Sequence, residues 1–318
     1  MGNRSWPAWV ALGTVYLVWG STYLAIRYLV GSLPPLLGAG LRFAVAGPLL
    51  LGLVLLFGGR RALRMTRGQC GSAVLVGLLM AGGGQGLLTI AETQVASGLA
   101  ALLVACVPLF VLILRRFLGQ RTPGGTLLGV LLGLAGLAVL LLVGSAGGGA
   151  HGSAWWGPFA VLLAALSWSI GTVATTRLPM PANPFAGSAV QLCTAGVALS
   201  AAGLLAGQRL DPGAVTAESW LALGYLIVAG SLVGYSAYVY VLHRLPVSTV
   251  ATYAYVNPVI AVVLGVLIAG EQFGPGQLAG GALVVLAVLV VVRAERTGAR
   301  PDRKVSVAAG TMTPSCER

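Results

Sequence analysis

The chain has 318 residues, of which 57% are hydrophobic and 8% charged. A soluble domain carries about 25% charged residues, so this composition provides no water-facing surface and excludes an ordinary globular protein. The net charge of +12 does not signal nucleic acid, because the arginines gather between apolar runs and at the C-terminus, with no basic–aromatic stripe.

A bilayer-crossing helix needs roughly 20 apolar residues. The first apolar run, Ala8 to Val18 after Arg4, resembles a signal peptide but continues through Trp19 and Gly20 without a cleavage site. It is read as the first transmembrane helix, over residues 7–28. Segments 35–57, 70–90, 97–115 and 124–144 follow. A Gly-rich connector (145–153) carries His151 and lacks the GK[ST] that would make it a phosphate loop. Five more segments come after it: 155–176, 184–206, 218–241, 248–270 and 276–293. Residues 294–318 read as a disordered cytoplasmic tail. Cys70, Cys106, Cys193 and Cys316 have neither CxxC nor metal-ligand spacing; they read as buried, inert thiols, and neither metal nor cofactor is expected.

The two halves repeat. Trp19, Pro35, Arg42 and Gly47 are matched by Trp168, Pro184, Gln191 and Gly196, each 149 residues later. Ser97, Gln120 and Gly129 are matched by Ser248, Glu271 and Gly280, each 151 later. The expected organisation is thus a first repeat at 6–144 and a second at 154–293. Sixteen of the nineteen basic residues fall in segments that share a side with the N-terminus, against Arg209 alone opposite. The positive-inside rule then places both termini in the cytoplasm. Each half holds an odd number of spans, so the halves run in opposite senses. The predicted fold is an all-α integral membrane protein with ten transmembrane helices in two inverted five-helix repeats.

Several motifs carry a family resemblance: YLVWGSTYLAIR (16–27), PPLLGAGLRFAVAG (34–47), ASGLAALLVACVPLF (96–110), TYAYVNPVIAVVLG (252–265) and GEQFGPGQLAGG (270–281). Together they resemble the EamA family of the drug/metabolite transporter superfamily, in particular its YedA-like branch. The resemblance implies a multi-pass inner-membrane protein that exports small metabolites, amino acids or amphipathic drugs. Two departures stand out: Gln120 occupies the position of Glu271, and Pro108 and Pro258 are offset by 150 rather than 151.

Within the spans, Trp19 and Trp168 are expected to face a central cavity and stack on substrate, the alternative being interfacial anchoring. Tyr23, Gln85, Thr89, Tyr235, Tyr238 and Asn257 are further candidates for its lining. Arg42 lies inside an apolar segment. It either binds a substrate carboxylate or fixes packing there, or snorkels to the headgroups. Glu92 and His243 are the candidates for proton coupling, with an exposed loop position as the alternative. None of the seven acidic residues falls at mid-span, which argues against dedicated proton antiport. Gly82–Gly84 is expected to break the third helix. Pro108 and Pro258 mark hinges, and Asn257 is expected to satisfy the carbonyl that Pro258 frees.

The sequence thus points to an exporter working by alternating access, with a small molecule and the lipid bilayer as its partners. A facilitative or proton-coupled uptake carrier is the alternative. A membrane-embedded enzyme would need clustered acids and histidines, or a nucleophile–base pair, and the sequence offers neither.

Overall fold

In lipid, an unpaired backbone polar group costs several kcal/mol, so an apolar chain resolves into helices or a closed barrel. The computed structural model describes residues 6–119, 125–144, 156–242, 244–245, 250 and 253–298. Among them the protein is helical and contains no strand. Each expected apolar segment is a helix: α1 (Trp6–Leu29), α2 (Pro35–Ala62), α3 (Arg67–Gly77, Leu78–Gln85 and Gly86–Ala91), α4 (Ser97–Val104 and Val107–Phe117), α5 (Gly125–Gly144), α6 (Trp156–Thr175), α7 (Pro184–Leu205), α8 (Ala217–Tyr225, Leu226–Val233 and Gly234–Leu242), α9 (Tyr253–Ala269) and α10 (Pro275–Gly298). Seven of these (α1–α4 and α6–α8) are long and apolar enough to cross a membrane, and α5, α9 and α10 contain shorter apolar stretches. Leu56, Phe57 and Leu205, which are 75–89% exposed, suit contact with acyl chains.

Local chemistry sets the helix ends. Thr66 and Gln69 form a capping box at the start of α3. Asn183 accepts from the Phe185 and Ala186 amides ahead of α7, with Pro184 in the first turn. Gly59, at φ 65°, interrupts α2, in a conformation that only glycine adopts without strain.

The third helix is not broken at Gly82–Gly84, contrary to the sequence expectation. Residues Leu78–Gln85 form a π-helical stretch instead, and Leu226–Val233 of α8 does the same. The two stretches are repeat-related. A π-turn widens the helix without breaking its hydrogen-bonded path and recurs at functional sites. The break lies in α4 instead, at Ala105–Cys106 just ahead of Pro108.

The two halves meet along reciprocal seams. A β-carbon on Gly47 of α2 would lie 2.6 Å from the Cys193 amide nitrogen of α7, and one on Gly196 of α7 would clash with Ala44 of α2. Gly40 faces Ser200 and Gly203 faces Leu37. Residue numbers fall on one helix as they rise on the other, so α2 and α7 are antiparallel and pack through equivalent surfaces. The α5–α10 seam repeats this pattern, with Gly129 against Val291, Gly136 against Val284 and Gly280 against Leu140. Small residues allow such close backbone approach where lipid supplies no hydrophobic drive for association. Reciprocal antiparallel packing of this kind makes the repeats inverted.

One end of the molecule is tied across elements. Ser32 donates to Ser219 Oγ (2.8 Å) and accepts from the Thr216 amide (3.0 Å). The Gln208 side-chain oxygen accepts from the Leu36 and Leu37 amides. Glu271, in the α9–α10 turn, accepts from the Ser97 amide and hydroxyl (both 2.8 Å) and the Gly98 amide (3.0 Å), and pairs with Arg27 at 3.4 Å. The α4 N-terminus is thereby capped by a carboxylate from the other half, which suits the positive end of the helix dipole.

Candidate functional site

A cavity of about 130 Å³ lies between the halves, lined from α1–α4 and α6–α9. It is smaller than the 300–1,000 Å³ of typical ligand pockets.

The two tryptophans are seated reciprocally. Trp19 lies over Gly234 of α8, where a β-carbon would come 2.7 Å from its indole nitrogen. Trp168 lies over Gly84 of α3, where a β-carbon would come 3.1 Å from its ring. Each indole therefore occupies space vacated by a glycine on the π-containing helix of the opposite half. Trp19 also donates to the Gly230 carbonyl (3.3 Å) and packs against Tyr238 and Tyr253, with centroids at 5.0 and 5.3 Å. Both indoles line the cavity.

Arg42 is 6% exposed and also lines the cavity. Its Nε donates to Ser231 Oγ (3.0 Å), its Nη1 reaches Gln85 Oε1 (3.5 Å), and its guanidinium lies 4.8 Å from the Phe43 ring centroid. This ties α2 to both π-containing helices and rules out the snorkelling alternative. Arg42 also presents donors to a cavity that is otherwise lined by aromatic, aliphatic and uncharged polar residues.

The sequence candidates separate as follows. Trp19, Tyr23, Arg42, Gln85, Trp168, Tyr235 and Asn257 surround the cavity. Thr89 does not line it: it is 1% exposed and its hydroxyl donates to the Gln85 carbonyl one turn back. Tyr238 stands behind the wall, its ring against Trp19, Tyr235 and Tyr253. Pro258 lines the cavity and Pro108 does not. With its amide nitrogen turned towards them, Asn257 donates to the carbonyls of Tyr253 (3.2 Å) and Tyr16 (3.3 Å). It thus joins α9 to α1, rather than serving the Ala254 carbonyl that Pro258 leaves free. His243 lies outside the described residues.

Glu92 is not an exposed loop residue. It stands in the turn after α3, is 3% exposed, and neither carboxylate oxygen has a hydrogen-bond partner. Burial pushes its carboxyl well above the usual carboxylate range, and the nearby Glu271 pushes it further, against the opposing pull of Arg27 and Arg42. Among the described residues, no cluster of three or more His, Cys, Asp or Glu side chains could hold a metal.

The lining also includes Phe43, Met80, Gln191, Ser231 and Tyr253, none of which the sequence put forward as a lining candidate. Gln191 was legible as the repeat mate of Arg42 and Tyr253 as a neighbour of Pro258. Ser231, a lone serine in an apolar run, carried no signal.

The EamA-like transporter family pattern matches residues 6–142 and, again, 155–293. The chain belongs to the EamA-like transporter family. The two matches make it a two-repeat membrane transporter. It is 39% identical over 286 residues to the uncharacterised inner membrane transporter YedA of Escherichia coli K12, covering 90% of each chain. A WAT1-related chloroplast protein of Arabidopsis thaliana is 27% identical, over 91% of this chain and 70% of that one. A solved crystal structure aligns with a TM-score of 0.61 at 24% identity, covering 89% of this chain and 96% of that one; this likeness concerns the fold alone.

Proposed function

We propose that this EamA-family member is an inner-membrane secondary transporter that exports small amphipathic metabolites, amino acids or drugs by alternating access. Ten spans cross the bilayer in this reading, with both termini cytoplasmic, as the arginine asymmetry favours. The observation that carries the reading is the reciprocal seating of Trp19 on Gly234 and Trp168 on Gly84 around one cavity between inverted halves. Such a site can be presented to either side by rocking one half against the other. The tied end, with the Ser32, Gln208 and Glu271 contacts, is then the external face, closed in this conformation.

The aromatic walls and the single guanidinium suit an organic molecule with an apolar body and one polar or anionic group. A phosphate would call for a denser cationic site. Counterflow in proteoliposomes, with a panel of radiolabelled amino acids and lipophilic cations, tests the reading. Folded protein that accumulates one compound class supports it, and Trp19→Ala and Trp168→Ala then alter the substrate range. Unchanged transport in both folded variants removes the cavity assignment.

A further inference from the structure

Two carboxylates stand at the two ends of the short turn between α3 and α4, and their surroundings are opposite. Glu271 approaches the α4 end and is fully engaged: three donors from Ser97 and Gly98, and the Arg27 guanidinium. Glu92, at the α3 end, is sealed from solvent and receives no donor.

The charged and titratable groups that face Glu92 are Tyr23 and Arg27 from α1, Arg42 from α2, and Glu271 from the α9–α10 turn. Both arginines are committed elsewhere, Arg27 to Glu271, and Arg42 to Ser231 and Gln85. An ionised carboxylate taken out of water without a donor is strongly disfavoured, and such a group neutralises itself by taking up a proton. Paired acids whose environments drive them apart in this way divide the charged and proton-holding roles between them.

We propose that Glu92 is a proton-binding site of this transporter, and that its occupancy governs the Arg27–Glu271 bridge beside it. With a proton on Glu92, Arg27 has one anionic partner and the cap on α4 holds. When Glu92 releases that proton to water, a second carboxylate competes for Arg27, and the bridge to Glu271 weakens. Arg42 feels the same charge from the cavity wall, so the charge of a bound molecule and the proton on Glu92 are electrostatically linked. A carboxylate is also a poor choice for a buried position that serves packing alone, where an apolar residue or glutamine would avoid the desolvation. The use of the site in transport rests on the function proposed above; proton binding does not.

The test is an infrared pH titration of the reconstituted full-length protein, read at the carbonyl stretch of protonated carboxylic acids. Wild-type protein is expected to retain one protonated acid at neutral pH, a signal lost in Glu92→Gln and kept in Glu271→Gln. Arg27→Ala is expected to move its loss to higher pH, because a neighbouring cation has been removed. Absence of the signal in folded wild-type protein at neutral pH overturns the proposal, as does a signal that survives Glu92→Gln. If Glu92→Gln fails to fold, absence of the signal from wild-type protein still overturns the proposal. A persistent signal alongside failed counterflow across the panel would remove the substrate classes proposed above and leave the proton site standing.

Discussion

At the scale of single residues, the informative side chains are those that work against the apolar background. Trp19 forms ring contacts with Tyr238 and Tyr253, and such pairs contribute about 0.5–1.5 kcal/mol beyond area burial. A double-mutant cycle of Trp19→Ala with Tyr253→Ala, read by unfolding in detergent, should return a coupling energy in that range. Glu92 gives a pH dependence of definite sign. Its carboxyl is raised in the folded protein by burial, so its contribution is present below the usual carboxylate range, near a pKa of about 4.3. That contribution is lost as pH climbs through the raised value. The thermal midpoint of wild-type protein should therefore fall on the alkaline side, and Glu92→Gln should flatten that limb. The tryptophans and Arg42 were legible in the sequence, since both types are conspicuous inside an apolar segment. The burial of Glu92 was not, because it follows the end of a helix, and residue order alone does not say whether a turn folds back under its neighbours.

At the scale of elements, segment positions followed from apolar length, whereas the Thr66 cap starts α3 at Arg67, ahead of the residue 70 expected from the sequence. What the sequence misplaced was internal geometry. Three consecutive glycines in α3 suggested a break, yet the helix continues through a π stretch, because in lipid a backbone group released from the helix finds no water to pair with. The repeat-related stretch in α8 contains one glycine, Gly230, so glycine content is not what creates the widening. The cap on α4 was equally hidden: Ala96 precedes it and offers no side-chain oxygen, and Glu271 supplies the acceptor from 174 positions away. Glu271→Ala should uncap that helix. A lost cap costs about 0.5–2 kcal/mol, and the loss of the Arg27 pair adds to it. The expected outcome is a lower unfolding midpoint, with faster amide hydrogen exchange at Ser97 and Gly98 than elsewhere in α4.

At the scale of the whole molecule, the repeat was visible as offsets of 149 and 151 residues, and inversion followed from an odd number of spans per half. Contact between the halves was not visible, because a repeat says which residues correspond and not which ones touch. The seams predict a sharp contrast between glycines. Gly47→Leu forces a side chain into the Cys193 backbone, whereas nothing stands within 4 Å of a β-carbon on Gly13. Overpacking costs about 1–3 kcal/mol where neighbours can yield, and backbone yields less. Gly47→Leu should abolish or sharply reduce folded yield by size exclusion, while Gly13→Leu should match wild type. For orientation, an impermeant thiol reagent applied outside intact cells should label Gln208→Cys and spare Arg177→Cys.

The α2–α7 seam has one more consequence. Because Gly47 meets Cys193 while Gly196 meets Ala44, and these four positions form two repeat-matched pairs, exchanging the shapes of the two halves returns the same set of contacts. The seam is invariant under the very operation that would convert one access state into the other. It can stay intact as a fixed pivot throughout the cycle, so a covalent cross-link placed along it should leave turnover running, whereas one placed between Arg27 and Glu271 should stop it.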